Sequence, residues 1–158
     1  MNSYRNNKSI VTVFCDASCD DSNNSIGLGV IVVGMGKHIA VSELKQVAAS
    51  DPLFGELLAI EFSIKSLSEL LESNTFAVDN LERAIIYSDC DIIQRLLSKT
   101  LSSKSMYTEL VDEIITLLEQ LSTTYEKIAF SVKYIGRRKK ISYYNSAHAA
   151  ARRVIGKE

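Results

Sequence analysis

The chain has 158 residues, 46% of them hydrophobic and 23% charged, with a formal net charge of −1. That size predicts one domain spanning residues 1–158, able to bury a core without staples. A near-neutral balance excludes a globally basic polyanion binder, so any grip on nucleic acid must come from a local patch.

The N-terminal stretch Met1–Lys8 is polar and has no apolar segment behind it, which predicts a disordered lead-in and no signal peptide. Apolar runs stay below the roughly 18 residues that a membrane span needs. Three cysteines (Cys15, Cys19 and Cys90) make an odd count, as in a reduced cytoplasmic protein. Cys15, Cys19 and His38 form a poor zinc set. They lack a second ligand pair, and Cys15 lies in an apolar run where cysteine packs as a small hydrophobe.

Taken in order, Ser9–Cys15 reads as a strand, with Asp16 where it ends. Ser18–Ser25 is a polar loop. Ile26–Val33 is a second strand, whose Gly27 and Gly29 signal a bulge or a close backbone approach. After the turn Gly34-Met35-Gly36, His38–Val47 alternates as a third strand. Ser50-Asp51-Pro52 starts a helix that reaches Glu72, with a buried stripe of Leu53, Leu57, Ile60, Ile64, Leu67 and Leu71. Glu56 borders that stripe in the first turns and is placed to point toward the sheet.

A polar loop, Ser73–Glu82, leads to the short buried strand Arg83–Ser88, which ends at Asp89. Helical spacing resumes over Cys90–Lys99. Thr100–Ser105 is a loop, and Met106–Ser122 is an amphipathic helix. Lys127–Ile135 is the last strand, Gly136–Ser142 a basic loop and Tyr143–Val154 an Ala-rich helix. The order β-β-β-α-β-α-α-β-α predicts an α/β fold. Its mixed five-stranded sheet has three antiparallel strands first, then parallel strands, with helices on both faces.

Asp16, Glu56 and Asp89 are then brought together. If the first and fourth strands are parallel neighbours, both aspartates emerge at one end of the sheet, where open α/β sheets bind ligands. Three converging carboxylates repel one another unless a cation lies between them. Oxygen-only donors suit Mg²⁺ or Mn²⁺, and two such ions would clamp in-line attack of water on a phosphodiester. Each acid taken singly has a structural alternative; Asp89 and Asp91 are both placed to cap the helix at Ile92.

The ordered segments Phe14-Cys15-Asp16-Ala17-Ser18, the following Gly-Leu-Gly-Val-Ile-Val, Gly55-Glu56-Leu57-Leu58-Ala59-Ile60 and Tyr87-Ser88-Asp89-Cys90 carry a resemblance. So do Val132-Lys133-Tyr134-Ile135 and Ala147-His148 with Ala151. Over residues 10–154 the chain resembles type I ribonucleases H and their reverse-transcriptase-like relatives. The resemblance implies a ribonuclease H-like fold and hydrolysis of the RNA strand of RNA–DNA hybrids with two divalent ions. Asp16, Glu56 and Asp89 would be the metal ligands.

It also implies a fourth carboxylate early in the last helix. Here that position falls on His148, or on Ala149 if Asn145 is the anchor, and neither is an acid. His148 is therefore the fourth catalytic candidate, set against a partly buried polar residue. The family's His-bearing loop corresponds to Gly136–Tyr144, which lacks histidine. Its cations Arg137, Arg138, Lys139 and Lys140 suggest phosphate contact, or else a solvated loop. Tyr143 and Tyr144 read as base-stacking residues or as the staple of the last helix. Ser18, Ser22, Asn23 and Asn24 are candidates for 2′-hydroxyl contacts, or ordinary turn residues. The family's basic helical protrusion is missing, since Ser98–Met106 holds only Lys99 and Lys104. The expectation is a monomeric, cytoplasmic nuclease for RNA–DNA hybrids. The alternative is a catalytically impaired relative that binds nucleic acid or protein.

Overall fold

A computed structural model describes residues 2–48, 51–101 and 105–157. The strands are β1 (Ile10–Asp20), β2 (Ser25–Gly34), β3 (Lys37–Gln46), β4 (Arg83–Ser88) and β5 (Ala129–Tyr134). The helices are α1 (Asn2–Arg5), α2 (Pro52–Glu72), α3 (Ile93–Leu97), α4 (Ser105–Thr124) and α5 (Ser142–Val154), with 3₁₀ turns at Val78–Asn80 and Gly136–Lys140. The sheet order is β3-β2-β1-β4-β5. β1–β2 and β2–β3 are antiparallel, while β1–β4 and β4–β5 are parallel. The mixed sheet read from the sequence is the one observed.

Period-two alternation along β1 divides the core. Val11, Val13 and Cys15 face the larger layer, built with α2 and α4 through Leu57, Ile60, Ile64, Leu67 and Ile114. Phe14 faces the opposite layer with Ile31, Val33, Tyr87, Tyr143, Tyr144 and Ala147. Asp16 follows Phe14 by two residues and so shares its side, the α5 side.

The first strand is longer than expected. Its pairing with β4 stops at Phe14, but its ladder with β2 runs on to Asp20 opposite Ser25. Asp16 therefore lies within a strand, just past the parallel pairing, and Ser18 pairs with Gly27. The antiparallel partner satisfies the backbone of this polar stretch, so polarity alone does not end the strand. The turn shrinks to residues 21–24, with Asn24 at φ 47°. In the β2–β3 turn Met35 and Gly36 both have positive φ (50° and 79°), the geometry that matches the twist of a hairpin.

The lead-in is not frayed. Asn2–Arg5 form a short helix whose Tyr4 meets the Phe14 ring edge-on at 5.5 Å. Gly36 N–H donates to the Arg5 carbonyl, and the Asn7 side chain accepts from the N–H of Ser9 and Ile10. These bonds pin a segment too short to hold a helix by itself.

α2 begins as expected at Asp51, whose carboxylate accepts from Phe54 N–H at 2.9 Å, with Pro52 at the first helical position. Asp51 also accepts from the Tyr107 hydroxyl at 2.7 Å, tying the start of α2 to α4. Ser50 lies outside the described residues, as do residues 102–104 of the loop expected at 100–105. Among the described residues no helix is long and apolar enough to cross a membrane.

Candidate functional site

Three elements deliver the acids. β1 holds Asp16 past the end of its parallel pairing, and the first turns of α2 hold Glu56. Asp89 follows β4, where Ser88 Oγ accepts from Cys90 N–H at 3.1 Å. Asp89 is not a helix cap: the N-cap of α3 is Ile92, with no side-chain capping bond, and the helix spans five residues rather than the ten expected. Its carboxylate is left to face the other two. Ligand oxygens of Asp16, Glu56 and Asp89 lie within 4.8 Å of one another, and they form the one such cluster among the described residues. The zinc set of Cys15, Cys19 and His38 does not assemble. Cys15 is buried in the large core, and His38 packs its ring against Tyr143.

α5 reaches the acids because β2 has no side chains in its way. A Cβ on Gly29 would lie 2.1 Å from the Ala147 carbonyl oxygen, and one on Gly27 would lie 2.0 Å from that of Ala151. The two glycines thus mark a close approach rather than a bulge. Small residues on the helix (Ala147, Ala150 and Ala151) complete the fit. With α5 seated this closely, His148 Nδ1 meets Asp16 Oδ2 at 2.5 Å. Asp16 is only 3% exposed, so the imidazole supplies a partner to a buried polar group. Of His148 and Ala149, it is His148 that meets the acids.

The electrostatics are those of crowded anions. Glu56 Oε2 is enclosed and has no hydrogen-bond partner in the structure. Burial first, then the charges of Asp16 and Asp89, push its pKa up to about 9 from an ordinary 4.5. An orphaned carboxylate oxygen inside a triad of oxygen donors fits a divalent cation. Tyr144 stands beside the triad. Its burial and the three neighbouring carboxylates hold its phenol well above the ordinary range, so it remains a neutral O–H donor. Its ring stacks on His148 at 6.5 Å. The sequence reads Tyr144 as a stacking residue or a helix staple and not as a neighbour of the acids, although its position four before His148 places both on one helix face.

The proton linkage of Glu56 gives a sign. Between pH 4.5 and about 9 the unfolded chain releases a proton that the folded, metal-free protein keeps, so this group's stabilisation falls as pH rises through that window. Calorimetry in EDTA is expected to show Glu56→Gln melting higher than wild type, by more at pH 8 than at pH 5. Parallel pH profiles for the two proteins would refute the crowding.

The basic loop is a 3₁₀ turn with its four cations divided. Lys139 Nζ pairs with Asp89 Oδ1 at 2.7 Å, and the Arg138 guanidinium lies over the Tyr87 ring at 4.8 Å. Arg137 and Lys140 are exposed. Tyr143 and Tyr144 are not free platforms. Both are 8% exposed, with Tyr143 stacked on Phe14 at 6.0 Å, because the apolar α5 face needs them as core. In the hairpin turn the Asn23 amide and the Ser22 hydroxyl each donate to Asp20 at 2.8 Å, and the Asn24 carbonyl accepts from Val47 N–H. These three are turn residues as placed, while Ser18 is half-buried in β1. Of the missing protrusion's two lysines, Lys99 pairs with Asp112 and Lys104 lies outside the described residues.

A mixed sheet in this order, with acids at the end of its central parallel pair, defines a class of fold. By structure the chain is similar to RNase H1 from the halophilic archaeon Halobacterium salinarum NRC-1, at TM-score 0.62 and 11% identity over 93% of this chain and 98% of that one. It is similar too to LC11-RNase H1, isolated from compost by a metagenomic approach, at TM-score 0.64 and 12% identity over 94% and 99%. The same LC11 protein in complex with an RNA/DNA hybrid matches at TM-score 0.60 and 11% identity over 92% and 99%. No protein-family model and no curated protein matches the chain. The chain has the ribonuclease H fold.

Proposed function

We propose that the protein is a metal-dependent ribonuclease that hydrolyses the RNA strand of RNA–DNA hybrids. The observation that carries this reading is the convergence of Asp16, Glu56 and Asp89 just past the parallel pairing of β1 with β4 in this fold. Two Mg²⁺ or Mn²⁺ ions held by these acids would supply Lewis-acid polarisation of the phosphodiester and a nucleophilic water at neutral pH. The chain's own residues do the rest. Asp16 and Asp89 fix the donors to the rigid sheet, and Glu56 closes the triad from α2. His148 takes the place of a fourth acid and braces Asp16 through Nδ1. Tyr144 presents a neutral hydroxyl to the same carboxylates. Arg137 and Lys140 are free to meet backbone phosphates beside the acids, and Ser18 sits on the hairpin past them. The partner class is supported by the hybrid-bound LC11 structure. Three free thiols suit a reducing, cytoplasmic setting, and the reading takes the protein as a monomer.

One observation favours the second reading, a relative that binds without cutting. The fourth position offers an imidazole where the resemblance implies a carboxylate. Labelled RNA–DNA hybrid, duplex DNA, duplex RNA and single-stranded RNA incubated with Mg²⁺ or Mn²⁺ separate the two. Cleavage confined to the RNA of the hybrid is expected. Hybrid binding with no cleavage in either ion would establish the second reading instead.

A further inference from the structure

We propose that Lys139 is a tethered counter-ion that occupies the acid cluster before divalent ions do, and moves to a substrate phosphate when they enter. This deepens the nuclease reading and rests on it. Lys139 Nζ sits on Asp89 Oδ1 at 2.7 Å, so it neutralises a carboxylate that an incoming cation would use. Crowding explains why the pair forms. Three acids with one enclosed, unpartnered oxygen attract any positive group in reach, and Asp89 is open to it, its side chain 29% exposed against 5% for Asp16.

The tether is built to deliver this one ammonium. Ile135, fully buried, donates its N–H to the Ser88 carbonyl at 2.8 Å and fixes the start of the turn beside Asp89. Arg138, stacked over Tyr87, fixes its middle. Lys139 is held at its tip, and its side chain is 46% exposed on a flexible four-carbon stem. It can therefore leave without disturbing the turn. Once displaced, the ammonium stays at the mouth of the site, where a phosphate carried to the acids would pass. A single lysine charge thus neutralises the empty site and afterwards grips the substrate.

The test uses Lys139→Met, which keeps the stem and removes the charge, and Lys139→Arg, which keeps the charge. Mn²⁺ affinity is measured by isothermal titration calorimetry at low salt without nucleic acid. Lys139→Met is expected to bind Mn²⁺ about two- to fivefold tighter than wild type, the factor that corresponds to losing an exposed ion pair. Lys139→Arg is expected to stay near wild type. In Mn²⁺ the salt dependence of hybrid binding by Lys139→Met is expected to be shallower by about one ion, with no such change in EDTA. Equal or weaker Mn²⁺ binding by Lys139→Met overturns the counter-ion role, and the nuclease reading survives if wild type cleaves the hybrid. Tighter Mn²⁺ binding without any hybrid cleavage supports the counter-ion and removes the nuclease. If neither protein takes up Mn²⁺, both readings fall.

Discussion

Asp16→Asn is expected to lower hybrid cleavage by a factor on the order of 10²–10³, the usual cost of removing one preorganised charge-stabilising group from an active site. The side chain is nearly isosteric, and Asp16 is buried within a ladder that continues on both sides of it, so the fold has no reason to change. What goes is one charge of the triad and the acceptor for His148. Relief of repulsion in the metal-free protein should leave the variant at least as stable as wild type. Single-turnover cleavage of labelled hybrid in Mn²⁺ gives the rate, and a thermal melt in EDTA gives the stability. A rate within about threefold of wild type would remove Asp16 from the chemistry, since that is far below the effect of losing such a group.

Gly29→Ala should cost more in stability than any surface change in this protein, about 3 kcal/mol, at the upper end of ordinary overpacking. The new methyl would lie 2.1 Å from the Ala147 carbonyl oxygen and 2.7 Å from Ala151 N, both backbone atoms of α5 that cannot rotate away. Either α5 lifts or the hairpin bends, and both movements separate His148 from Asp16. Cleavage should therefore fall together with stability. Gly55→Ala is the useful contrast: its methyl would meet the Ala17 side chain at 3.3 Å and Ile26 at 3.4 Å, contacts that a small shift relieves. Urea denaturation of both variants checks the order. A Gly29→Ala loss below about 1 kcal/mol, no more than a tolerated core swap, would show that α5 is not seated by the missing side chain.

Much of this arrangement is legible in the sequence because it rests on local periodicity. The stripe of α2, the capping Asp51 and the continuous apolar β4 each declare their element within a few residues. The parallel placement of β4 follows from the helix before it, and with it the meeting of Asp16 and Asp89. What escapes the sequence depends on partners far along the chain. β1 outruns its apolar stretch because β2 pairs with it to Asp20, so Asp16 lies mid-strand rather than at an end. α1 is helical because Phe14 and the Gly36 turn hold it. Gly27 and Gly29 announce a close approach without naming α5 as the visitor. Lys139 reads as one of four equivalent cations until the turn aims it at Asp89 while Arg138 goes to Tyr87. The tyrosines show the same limit, since only the packed α5 face distinguishes a core ring from a stacking platform.

The alternation that puts Cys15 in one core layer and Asp16 in the other has a mechanical meaning. Asp16 and His148 belong to the layer on one side of the sheet. Glu56 rides on the helix of the other. The acids meet only around the rim, so the gap between them works as a caliper set across the full thickness of the sheet. A slip of either helical layer, even one that leaves every strand paired, changes that gap directly. The cluster's readiness for a cation is thereby tied to how both layers are seated on the sheet, the α5 side by two missing side chains in β2 and the α2 side by Gly55 close against Ala17 and Ile26.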